Sequence, residues 1–66
     1  MIKDDVLSLS IDTLIKHKKK MTTYRWLGMS KVKINGEWID SGSYQSVTGF
    51  IYTRMLDDFD GFVVVK

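Results

Sequence analysis

The sequence predicts an α+β domain in which one N-terminal helix, about residues 4–20, packs on a three- to four-stranded antiparallel sheet built from about residues 23–66. Three observations support this. Apolar residues recur at helical spacing up to Ile15, the period changes to two after Thr23, and Asn35-Gly36 separates two alternating runs. A small SH3-like partial barrel is the alternative arrangement, and in either case residues 1–66 form a single domain.

The helix rests on Leu7, Ile11, Leu14 and Ile15, which share one stripe at i, i+4, i+7 and i+8. Asp4 and Asp5 stand at the positive end of its dipole and Lys16 to Lys20 at the negative end, and Asp12 to Lys16 forms an i,i+4 pair. A competing pattern is present: Leu7, Leu9 and Ile11 alternate with Ser8 and Ser10 as a strand would, with a shorter helix capped by Asp12.

Beyond Thr23, Tyr24, Trp26, Ser30, Val32 and Ile34 share one strand face, while Arg25, Leu27, Met29, Lys31 and Lys33 share the other; Gly28 interrupts as a bulge. Asn35-Gly36 supplies both left-handed residues of a type I′ turn. A two-residue loop then sets Lys33 opposite Trp38, Val32 opposite Ile39 and Lys31 opposite Asp40. Asp40-Ser41-Gly42-Ser43 reads as a second turn, with strands over Tyr44 to Val47 and Gly49 to Met55. Leu56 to Gly61 carries turn chemistry, and Phe62 to Val65 forms a β-branched terminal strand.

Sixty-six residues bury only about 60% of the surface the unfolded chain exposes, so few large side chains are free to be spent outside a core. The absence of cysteine removes disulfides and thiolate metal sites and fits a reducing cytoplasm. No apolar run reaches the ~20 residues of a membrane span, and Met1 to Asp5 lack the start of a signal peptide, so the mature chain is expected to begin at Met1. Ten Lys and Arg against eight Asp and Glu leave a net charge of +2, too little for a polycation. The charge is instead polarised, with cations at 16–20 and acids at Asp57, Asp58 and Asp60.

No catalytic constellation emerges. His17, the single histidine, sits among lysines with no orienting partner, and the expectation is a protein that is not an enzyme and carries no cofactor or metal. Asp57, Asp58 and Asp60 lack the spacing and distal Glu of a calcium loop and read as solvated turn residues. Lys16, Lys18, Lys19 and Lys20 are the candidate nucleic-acid contacts, since clustered ammonium groups displace phosphate counterions; a helix C-terminus explains the same run without a ligand. Trp26, Trp38, Tyr44, Tyr52 and Arg54 are the candidate protein-binding residues, because a single helix covers only one sheet face and leaves rings available to a partner.

The stretch Val32-Lys33-Ile34-Asn35-Gly36-Glu37-Trp38-Ile39, then Tyr44, then Gly49-Phe50-Ile51-Tyr52-Thr53-Arg54, then Asp57-Asp58-Phe59, resembles small tailed-bacteriophage accessory proteins. In that group an Asn-Gly-Glu-Trp hairpin, a Tyr and a Gly-x-Ile-Tyr-x-Arg segment precede an acidic Asp-Phe. The resemblance covers a little over half the chain and implies a phage accessory protein without an assigned chemistry. The functional expectation is therefore a cytoplasmic protein, away from membranes, that binds and modulates, by inhibition, a host protein through an exposed sheet face or edge. Two alternatives remain open: a small nucleic-acid-binding protein using 16–20, and an oligomeric structural component such as a homodimer.

Overall fold

In the computed structural model, which describes residues 1–65, the chain is a small β-rich fold and the long helix is missing. Its elements are α1 (Lys3–Leu7), β1 (Leu14–His17), β2 (Thr22–Ile34), β3 (Glu37–Ser46), β4 (Ile51–Met55), a 3-10 turn (Leu56–Asp58) and β5 (Phe62–Val64). All five strands join one antiparallel sheet in the order β4-β3-β2-β1-β5. The last residue of the expected sheet region, 66, lies outside the described residues.

The α+β expectation is thus corrected: α1 has five residues and stops at Ser8, and Lys16 and His17 lie in a strand. The cause is competition for backbone partners. Asp12 adopts a left-handed φ of 75° and donates its N–H to the Trp26 carbonyl at 2.8 Å, while Trp26 donates to Thr13 O at 2.9 Å. Those bonds tie the segment across to β2 and forbid the i→i−4 ladder. Helix nucleation is costly for a short segment, so tertiary pairing wins. The expected stripe is also not the core face, because Leu7, Ile11 and Leu14 are exposed and only Ile15 is buried. Asp12 bonds Arg25 Nη1 at 2.8 Å instead of Lys16.

The β2–β3 hairpin has the register that the Asn35-Gly36 turn dictates. Ile34 faces Glu37, Lys33 faces Trp38, Val32 faces Ile39 and Lys31 faces Asp40, with φ of 51° at Asn35 and 82° at Gly36. Farther on, Trp26 faces Tyr44 but Gly28 faces Ser43, so Leu27 is an extra, bulged residue. That bulge reverses the alternation. Met29 faces Gly42, which shares a side with Tyr44, so Met29, Lys31 and Lys33 fall on the side of Trp26 rather than opposite it.

Asp40-Ser41-Gly42-Ser43 is not a turn either, since β3 runs straight through it. Gly42 is there for space: a Cβ would stand 2.6 Å from Trp26 Cζ3 and closer still to Cη2. The core is Val6, Ile15, Trp26, Tyr44, Leu56, Phe59 and Phe62. Phe59 is its centre, with ring centroids 5.7 Å from Trp26, 5.8 Å from Tyr44 and 5.2 Å from Phe62. Sheet, α1 and the 3-10 turn enclose it together, so no helix layer is needed. The Met1 ammonium donates to Phe59 O at 2.7 Å and Phe62 O at 2.9 Å, pinning the first residue to the β5 edge. Among the described residues, no helix is long and apolar enough to cross a membrane.

Candidate partner-binding surface

The five expected contact residues do not form one patch. Trp26 and Tyr44 are 1% and 4% exposed, which removes them from any surface. The physical reason is their pairing across β2–β3 on the inner face, where Gly42 leaves room for the indole. Tyr52 is 45% exposed and lies as a lid on Tyr44, the rings 5.7 Å apart and 26° from parallel.

Arg54 closes the same cluster from the outside. Its Nε donates to Tyr44 Oη at 2.8 Å, its Nη1 to Asp58 Oδ2 at 2.8 Å, and its guanidinium stands 5.3 Å from the Phe62 centroid. Burial works to lower its pKa, but the hydrogen bond and charge interaction with Tyr44, then Asp58, outweigh it and hold the group above its ordinary value. A raised pKa keeps this contribution intact below the ordinary arginine range and loses it only at more alkaline pH, so Arg54 adds no pH dependence under working conditions. It acts as a clamp on the core.

Trp38 is different. It is 62% exposed, projects from the first turn of β3, and carries Lys33 Nζ 5.7 Å from its ring centroid. Beside it is a groove of ≈ 300 Å³ between Trp38, Ile39 and Asp40 on one side and Met55, Leu56 and Asp57 on the other, with Lys3 of α1 and Lys31 at its rim. Lys31 is held by Asp40 at 3.1 Å. Lys3 and Asp57 have no ion pair among the described residues.

The groove exists because β4 is half as long as β3. β4 leaves the sheet at Met55, opposite Ser41, so residues 37–40 have no neighbour on that side. Backbone direction follows from the closing bond of the β3–β4 hairpin, Ser46 N–H to Phe50 O at 2.9 Å. Alternation then turns the N–H and C=O of Tyr44 and Gly42 toward β4 and those of Asp40 and Trp38 toward the groove, where they find no partner among the described residues. Aromatic wall, apolar floor and unpaired main chain thus meet at one place.

The basic residues collect elsewhere. Lys18, Lys19 and Lys20 are exposed on the turn between β1 and β2, Lys16 is half-buried on β1, and none forms an ion pair among the described residues. His17 accepts the Lys20 N–H at Nδ1 (3.2 Å) and meets Phe62 edge-on at 5.0 Å, a packing role. Asp58 is taken by Arg54, and among the described residues no three acidic or histidine side chains converge for a metal.

Sequence reasoning found Trp38 but missed Lys3, Asp40 and Met55 around it. Each depends on where β4 ends, and no local pattern reports a strand's partner length. It also missed that the bulge turns Lys31, Lys33 and Trp38 to the side of Trp26, though Gly28 was the available signal. No family profile, curated protein or solved structure matches the chain.

Proposed function

We propose that this chain is a cytoplasmic, non-catalytic accessory protein of the phage type that binds and modulates a host protein, by inhibition, through the Trp38 groove at the bare edge of β3. The observation that carries the reading is an exposed tryptophan beside two unpaired backbone positions, Trp38 and Asp40, over Met55 and Leu56. An extended segment of a partner adds there as a short strand, its main chain satisfying both positions and an apolar side chain filling the space against the indole. Tryptophan in a pocket is the commonest source of hot-spot energy. The test is affinity capture from nuclease-treated bacterial lysate with wild type and Trp38→Ala. Wild type is expected to retain one host protein in high salt, and the variant to retain it at least about tenfold more weakly, since ~1.4 kcal/mol is tenfold. Equal capture by both would refute the assignment.

A second reading is favoured by one observation, the unpaired cluster Lys18, Lys19 and Lys20 with Lys16 at one end of the sheet. It makes the protein a nucleic-acid binder. Retention on single- or double-stranded nucleic acid would then fall steeply with salt and with Lys→Gln changes at these positions, and be indifferent to Trp38→Ala.

A further inference from the structure

β4 is an edge strand with few of the features that keep such edges apart: it is short and carries one charge, Arg54, which is paired with Asp58 of its own chain. Its sequence, Ile51-Tyr52-Thr53-Arg54-Met55, has no lysine, acid or proline, and its pairing with β3 has no bulge. At the opposite edge, β5 is partly covered, because Phe62 gives its N–H to Phe59 O and its C=O to the Met1 ammonium. The alternation set by Ser46 and Phe50 turns the N–H and C=O of Ile51, Thr53 and Met55 away from β3; those of Ile51 and Thr53 and the Met55 N–H have no backbone partner among the described residues, while the Met55 C=O opens the 3-10 turn. Ile51, Tyr52 and Met55 are all exposed.

We propose that β4 pairs antiparallel with β4 of a second copy of this chain, about a two-fold axis through Thr53. Only outward-turned residues can face one another in hydrogen-bonded pairs, so a two-fold axis must pass through a residue of β4 rather than between two. Centring on Thr53 is the one choice that uses all three: Ile51 faces the partner's Met55, Thr53 faces its own copy and Met55 faces the partner's Ile51, for about four new backbone hydrogen bonds beyond those the Met55 carbonyls already make in the 3-10 turn.

The side chains agree with that register. On the outer face Ile51 meets the partner's Met55, apolar on apolar, twice by symmetry. On the inner face Tyr52 meets the partner's Arg54, whose guanidinium is already committed to aromatic neighbours. No like charges are opposed. Asp57 and Asp58 fall past the strand end, facing Gly49 and Thr48 of the partner's hairpin, which are uncharged. An edge whose opposed residues complement one another, and whose single charge, Arg54, is paired with Asp58 of its own chain, selects its copy as occupant. The pairing shares Met55 with the Trp38 groove but not Trp38 itself, so Trp38→Ala, which should leave the dimer unchanged, separates the two assignments.

Sedimentation velocity of the full chain from micromolar to millimolar concentration is the test. Wild type is expected to move from 7.7 kDa toward twice that mass, with amide protection appearing at Thr53 and Met55, and with an intermolecular Hα–Hα NOE between Tyr52 and the partner's Arg54 in a mixed-label sample. Ile51→Lys with Met55→Lys opposes lysines on both sides of the axis and should weaken the dimer at least about tenfold. Ile51→Glu with Met55→Lys restores opposite charges in the same register and should recover it. Both pairs of changes are at exposed positions, and circular dichroism melts check the fold. A chain that stays monomeric throughout overturns the proposal and leaves the edge to another protein's strand. A dimer unaffected by paired lysines, or one with unprotected β4 amides, overturns it as well.

Discussion

Gly42 shows how much a single missing methyl can decide. The indole of Trp26 occupies the space a Cβ would need, so Gly42→Ala is expected to lose about 2–3 kcal/mol through overpacking, measured by chemical denaturation. Nothing in the local sequence announced this. Asp40-Ser41-Gly42-Ser43 has the composition of a turn because small polar residues suit turns, yet a strand facing a large ring selects smallness too. Only the partner across the sheet distinguishes the two cases. The same limit applied to Trp26 and Tyr44, expected at a surface and found in the core. Trp38 was readable because its neighbours are fixed by a turn two residues away, and Lys33 reached its ring as counted.

Among the elements, the β2–β3 hairpin was legible and the N-terminal segment was not. A type I′ turn fixes register from inside the sequence, so pairs can be counted outward from Asn35-Gly36 until Leu27 disturbs the parity. Gly36→Ala tests the turn alone: no atom lies within 4 Å of the new Cβ, and only the φ of 82° is strained. The expected loss is about 1–2 kcal/mol, read from the denaturation midpoint, with the fold and Trp38 environment unchanged. Residues 4–20, in contrast, had helical spacing, dipole charges and an i,i+4 pair in their favour, against the strand-like alternation of Leu7, Leu9 and Ile11. Their backbone partners are Trp26 and Gly61, far along the chain, and dipole or i,i+4 terms of a few tenths of a kcal/mol are too small to resist them. Periodicity over Leu7 to Ile15 was a coincidence of spacing, since Leu7, Ile11 and Leu14 ended exposed.

For the whole molecule, the consequence is a core assembled from distant pieces. Ile15 of β1 pairs with Val64 of β5, Trp26 lies against Phe59, and Met1 is bonded to Phe62. Folding with so many non-local contacts and so little helix is expected in milliseconds to seconds, not microseconds, as one exponential in stopped-flow tryptophan fluorescence. Sequence reasoning anticipated the absence of a substantial helix cover for both faces but expected an α-layer where 3-10 turn, α1 and sheet now share the task. The pairing of β1 with β5 also bears on synthesis. Phe59, Phe62 and Val64 leave the ribosome after the residues of β1 to β4, so the strands that precede them emerge without a centre to close upon. Completion must wait until those last aromatic and aliphatic groups emerge, and until then chaperones and proteases have access to the unfinished interior.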